Sequence, residues 1–158
     1  MKPSFSPLSG ACRCGRVRFE VSAPPLITMA CHCRGCQRMS ASAFSLSAAF
    51  PTQAFRVTQG EAIIGGLHGD DVHHYCCPHC MSWMFTRIPG MDMFVNVRSS
   101  LLNDPQPFAP FIESWTSEKL RWASTPAVHS YAQFPPMEAY EALLLEYEEF
   151  RTKQERGI

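Results

Sequence analysis

Eight cysteines gathered into three tight clusters constrain this chain more than any other feature: Cys12-Arg13-Cys14, Cys31-His32-Cys33-Arg34-Gly35-Cys36 and Cys76-Cys77-Pro78-His79-Cys80. On a strand, residues i and i+2 project from one face about 6 to 7 Å apart at Cα, so a Cys-x-Cys can aim both sulfurs at one ion about 2.3 Å away. A Cys-x-x-Cys does the same from a tight turn. Two such pairs supply the four thiolates of a closed tetrahedral zinc site that would tie distant parts of the chain together. A disulfide framework is the weaker reading, because a chain of 158 residues buries roughly 70% of its unfolded surface and folds without such staples.

Cys77 and Cys80 form the late pair, and spacing alone does not choose between Cys12/Cys14 and two of Cys31, Cys33 and Cys36 as its partner. The preferred split puts Cys12, Cys14, Cys77 and Cys80 on a structural zinc, which leaves the central cluster able to act as a unit. Cys31, Cys33 and Cys36 then form a three-ligand set for a second, catalytic zinc with one position open. Three thiolates leave such a zinc with net negative charge and make it a poor electrophile, so an incoming thiol suits its fourth position better than a hard oxygen. The competing expectation is a second closed site, completed by Cys76 or a histidine. As the neighbour of Cys77 on a strand, Cys76 should face the other way and act as a small buried hydrophobe.

Arg34 and Arg38 flank the central cluster and are candidates to offset its charge or hold a substrate carboxylate. His32 and His79 lie between ligands and should point away from the metal, and one of His73 and His74 on their expected strand must face outward. The chain has no Gly-rich phosphate loop, no Gly-x-Ser-x-Gly elbow and no His-Glu-x-x-His.

The segment Arg16 to Val21 alternates polar and apolar, as a half-buried strand does. Similar runs occur at 44–50, 55–58, 72–76, 83–87 and 93–97. Turn signals separate them at Pro24-Pro25, Pro51-Thr52, Gly65-Gly66, Gly69-Asp70, Pro89-Gly90 and Asn103-Asp104-Pro105. The body therefore reads as mainly β and antiparallel. After Pro135-Pro136 the spacing of Met137, Tyr140, Leu144, Tyr147 and Arg151 predicts an amphipathic helix over about 136–151, packing Tyr140, Leu143, Leu144 and Tyr147 on the β body, with 152–158 frayed.

Composition narrows the function classes. Hydrophobic residues make up 46% and charged residues 18%, as in one globular domain spanning 1–158 with a core of about 8–134. Fourteen basic and fourteen acidic side chains cancel, so nothing draws the protein onto nucleic acid or an anionic membrane. Met1 to Gly10 lacks an apolar signal-like segment and no long apolar run follows, which makes the expected location cytoplasmic.

The order of the motifs resembles the glutathione-dependent formaldehyde-activating enzyme family, which includes centromere protein V. The matching residues are Gly10-Ala11-Cys12-Arg13-Cys14-Gly15-Arg16-Val17-Arg18-Phe19, Cys31-His32-Cys33-Arg34-Gly35-Cys36-Gln37-Arg38 and Cys77-Pro78-His79-Cys80, with a weaker echo from Ser100 to Pro105 and from Glu113 to Trp122. The resemblance implies an Mss4-like fold of twisted antiparallel sheets, of the β-tent type, held by zinc and followed by a C-terminal helix. It implies the same division of cysteines between a structural and a catalytic zinc. It also implies a carbon–sulfur lyase that condenses formaldehyde with glutathione to S-hydroxymethylglutathione, so that the expected partner is a small thiol such as glutathione. Two departures from the family pattern are Met81 and Ala41, where glycine is usual; His73-His74-Tyr75 stands where a basic residue is common. The alternative expectation is a non-catalytic zinc module that binds a protein partner.

Overall fold

A computed structural model of the chain describes residues 5–65 and 70–155. Gly66 and Gly69, in the turns expected at Gly65-Gly66 and Gly69-Asp70, lie outside the described residues, while Asp70 stands in a turn. In chain order the elements are β1 (Leu8–Ala11), β2 (Arg18–Val21), β3 (Ile27–Cys31), α1 (Arg34–Ser40), β4 (Ser45–Pro51) and β5 (Phe55–Gln59). There follow β6 (Ile63–Ile64), β7 (His73–Cys76), β8 (Trp83–Arg87), β9 (Phe94–Val97), β10 (Ile112–Ser114), β11 (His129–Ser130) and α2 (Tyr140–Glu155). The fold is mainly β, with both antiparallel and parallel pairing and a C-terminal helix.

The chain divides into two compact units, one made of the chain up to Pro25 with Ser47–Phe108, the other of Leu26–Leu46 with the chain from Ala109 on. In the first unit β1, β2 and β5 form a three-stranded antiparallel sheet. The expected alternation is visible in β2, where Phe19 and Val21 are buried and Arg18 is exposed. Gly10 lies opposite Phe19, and a Cβ there would sit 2.2 Å from the Phe19 ring, so this close crossing requires glycine. Strands β9, β8, β7 and β6 pair in that order, antiparallel throughout. Phe19, Phe50, Phe55, Met84, Phe85, Val95 and Val97 fill the core, and Cys12 and Cys77 belong to the same cluster.

The second unit departs from the antiparallel expectation: β10 runs parallel to both β3 and β11. Parallel neighbours need a long return connection rather than a hairpin, and here the chain leaves β3 at Cys31 and comes back at Ile112. Helix α2 packs on β3, with Leu143 and Tyr147 buried and Phe111 set against Tyr147 and Phe150 at ring separations of 5.3 and 5.2 Å. The helix extends through Glu155 instead of ending near Arg151, because Arg151 pairs with Glu155 one turn on at 2.5 Å. Among the described residues no helix is long and apolar enough to cross a membrane.

The two positions where this chain lacks the usual glycine both adopt left-handed backbone, with φ +58° at Met81 and +48° at Ala41, which closes α1. An L-side chain there costs about 1 to 2 kcal/mol, less the entropy that glycine loses on folding. Both side chains are exposed, so little packing is lost with them. Met81→Gly and Ala41→Gly should each stabilise the metal-loaded protein by up to about 1 kcal/mol, a rise of about 2 to 4 °C in Tm by calorimetry.

Candidate metal centres

The first centre forms where two turns of the first unit meet. Cys12 and Cys14 lie in the turn after β1, closed by hydrogen bonds from Cys12 N–H to Val17 O and from Gly15 N–H to Cys12 O. The pair sits on a turn rather than on the strand that its spacing suggests. Cys77 and Cys80 lie in the turn between β7 and β8, closed by bonds from Cys77 N–H to Ser82 O and from Met81 N–H to Cys77 O. Arg13 N–H joins the two turns by donating to Ser82 Oγ at 3.0 Å.

All four sulfurs fall within 4.8 Å of one another, with Cys12 and Cys14 3.5 Å apart and Cys14 and Cys77 3.8 Å apart. Thiolates at the corners of a zinc tetrahedron are about 3.8 Å apart, so the donor set fits that ion. Neighbouring donors prepare the sulfurs for charge. Val17 N–H donates to Cys12 Sγ at 3.3 Å, and despite burial this bond and the thiols of Cys14 and Cys77 lower the Cys12 pKa. The Ser82 hydroxyl brings Cys80 down to about 5. Cys14 stands at about 11: the Arg16 backbone favours its thiolate, but burial and its three cysteine neighbours outweigh it.

The second centre lies within the other unit. Cys31 ends β3, while Cys33 caps α1 by accepting from Cys36 N–H at 3.3 Å, so both cysteines of the Cys-x-x-Cys sit at the mouth of a helix. The sulfurs of Cys31, Cys33 and Cys36 lie within 4.8 Å of one another, and among the described residues no histidine, carboxylate or fourth cysteine completes the group. The Cys36 thiol is the main influence on Cys31, lowering its pKa to about 5 against burial, with help from Cys33 N–H and the Ser114 hydroxyl. The same contact raises Cys36, and burial raises Cys33. Among three thiols in contact, one becomes thiolate by borrowing hydrogen bonds from the others, an arrangement that a cation would replace.

The remaining candidates are placed as follows. Cys76 is buried and joins neither cluster; burial raises its pKa, as for a small apolar side chain. Arg34 and Arg38 are exposed on α1, and the Arg34 guanidinium is engaged by Gln37 Oε1. His79 is exposed, while His74 meets Thr86 Oγ1 at 3.0 Å and stands edge-on to Trp83.

His32 turns away from the sulfurs into a wholly buried position, where Nε2 donates to Glu113 Oε2 at 2.9 Å. Sequence reasoning missed Glu113, whose only signal was its place in the weak echo before Trp115. Burial alone would raise its pKa, yet hydrogen bonds from Lys119, Ser130, Thr125 and His32 hold it at about 2.

Cys77→Ser should lose the first metal and with it folding free energy on the order of 10 kcal/mol, whereas Cys76→Ala should stay folded with its full metal content, as metal analysis and circular dichroism would show. For Glu113 the folded pKa of about 2 lies below the unfolded value, so its stabilisation is complete above the unfolded value and is lost as pH falls through the folded one. The stability gap between wild type and Glu113→Gln, read from urea midpoints, should therefore be wide at about pH 6 and narrow at about pH 3.

The family described as glutathione-dependent formaldehyde-activating enzyme matches residues 7–118, which include both cysteine groups. No curated protein matches the chain. Among solved structures, the crystal structure of a Rhodobacter sphaeroides protein, a structural genomics target, is similar with a TM-score of 0.51 and 21% identity, over 62% of this chain and 92% of that one. That likeness concerns the fold alone. With well over half of its length matched and the cysteine motifs converging in space, the chain belongs to the glutathione-dependent formaldehyde-activating enzyme family.

Proposed function

We propose that the chain is a zinc-dependent enzyme of the carbon–sulfur lyase type, acting on a small thiol adduct such as S-hydroxymethylglutathione. The observation that carries this reading is the difference between the clusters: four sulfurs converge in one and three in the other. Cys12, Cys14, Cys77 and Cys80 would hold a structural zinc, and Cys31, Cys33 and Cys36 a catalytic one. At the second centre the ion would supply a thiophilic Lewis acid with one position for an incoming thiol.

The chain's own residues do the rest. Cys31, Cys33 and Cys36 bring three donors together and each lies only partly buried, so a substrate thiol would complete the group as its fourth donor. Exposed Arg34 and Arg38 on the adjoining helix offer cationic groups for a substrate carboxylate. In the forward direction a sulfur–carbon bond forms to formaldehyde, its C=O π pair becomes a hydroxyl, and the thiol's proton reaches that oxygen through solvent. The reverse breaks the same bond and returns thiol and aldehyde. Because all eight cysteines are free, the proposal places the protein in a reducing compartment, the cytoplasm.

A second reading, a zinc module that binds a protein partner, draws on the exposure of Trp122, Phe134 and Met137 (77%, 56% and 73%). Magnetisation-exchange NMR of glutathione with formaldehyde separates the two. Wild type should speed the exchange, and Cys33→Ser should abolish the acceleration while keeping the first metal and the fold. Equal rates with wild type, with Cys33→Ser and without protein would reject the lyase reading in favour of the binding module.

A further inference from the structure

Glu113 is a buried carboxylate in the middle strand of its unit, and four side chains donate to it. His32 Nε2 donates to Oε2 at 2.9 Å and Thr125 Oγ1 to Oε2 at 2.8 Å. Ser130 Oγ donates to Oε1 at 2.7 Å, and Lys119 Nζ spans both oxygens at 3.0 and 2.9 Å. A buried carboxylate is tolerated only when its acceptor sites are filled in this way. Lys119, Thr125 and Ser130 all lie beyond residue 118, where the family match ends.

The fourth donor links this network to the thiols. His32 stands between Cys31 and Cys33, its ring fully buried and edge-on to Phe44 at 5.3 Å, and its main-chain N–H donates to Ser114 O at 3.0 Å. Backbone here is extended, with Cys33 at φ −60° and ψ 149°. Cys31 and Cys33 flank His32 directly, so anchoring the His32 ring on Glu113 restrains the main chain that carries both sulfurs. Gln37 holds the same stretch from α1, donating to His32 O at 2.6 Å and to Glu118 O at 3.0 Å.

We propose that Glu113, acting through His32, is a positioning residue for the Cys31, Cys33 and Cys36 centre, setting how tightly and in what geometry that centre holds its metal without touching it. This rests on the reading that the three cysteines bind a metal. Second-layer partners of metal ligands commonly contribute about 10- to 100-fold in affinity, and the effect here should be confined to one centre.

The test uses protein expressed with cobalt(II), whose visible bands report thiolate ligation, followed during transfer of the metal to a chelator. Glu113→Gln should release one cobalt per chain about 10- to 100-fold faster, shift the bands of that centre, and leave the other cobalt held as in wild type. His32→Phe, which keeps the ring and removes the bond to Glu113, should reproduce the loss, and the double variant should be no worse than either single one. Thr125→Val, which removes a different bond to the same carboxylate, should leave both release rates unchanged. Equal acceleration by Thr125→Val, or equal acceleration at both centres, would make Glu113 a general core ion pair and overturn the inference. A wild-type chain holding a single cobalt would instead overturn the two-metal reading beneath it, so the two failures are distinct.

Discussion

The first unit depends on one convergence: the thiols of Cys12 and Cys14 meet those of Cys77 and Cys80 within 4.8 Å. Four sulfurs so close repel one another when ionised and interact only weakly when protonated, so the arrangement makes physical sense around a cation that displaces the protons. Cys12 and Cys77 belong to the same buried cluster as Phe19, Phe55 and Phe85, which makes ligand placement and core packing a single structure. Short strands of four or five residues at β1, β2, β7 and β8 would be marginal alone. Joining the turn after β1 to the turn before β8 closes a loop of more than sixty residues, a large part of the unfolded chain's freedom.

What was legible in the sequence was whatever is encoded at short range. The cysteine motifs were legible because Cys-x-Cys and Cys-x-x-Cys already bring sulfurs together locally, and the structure gathers the sulfurs of Cys12, Cys14, Cys77 and Cys80 in one group and those of Cys31, Cys33 and Cys36 in another. The strands at Arg18–Val21, Phe55–Gln59 and Trp83–Arg87 were legible from composition and alternation. Strand β10 was not, since all three of its residues are buried and no polar face marks it; β3 likewise lacks clean alternation. Helix α1 is only seven residues long and carries a glycine, too little for periodicity to show. Glu113 was invisible for a different reason: its contact with His32 joins residues 81 positions apart, and no local pattern announces it.

The departures from the family pattern also acquire a physical meaning. Met81 follows the last cysteine of the first group, and Ala41 closes the helix that carries Cys36. Each takes up a left-handed conformation that suits glycine better, and each lies beside a cysteine group that could hold a metal. Strained backbone persists where surrounding structure determines the conformation more strongly than the residue's own preference. Here the tight turn from Cys77 N–H to Ser82 O and the helix cap from Ala41 N–H to Gln37 O impose the geometry from either side.

The contrast between the clusters gives each its chemical character. A set of four donors, two of them buried, is enough to complete a zinc tetrahedron, which would leave a bound ion only a structural role. A set of three, partly buried at the end of a strand and the start of a helix, would leave the fourth position of a bound ion to another donor. An incomplete set gains nothing from being incomplete unless its donors are held still, because flexible ligands would rearrange to admit any fourth partner. The buried carboxylate at Glu113 accepts from His32, Lys119, Thr125 and Ser130, and on the proposed positioning role its bond to His32 would supply that stiffness. Under the proposed function, a rigidly backed set of three donors is what selective capture of a small thiol would require.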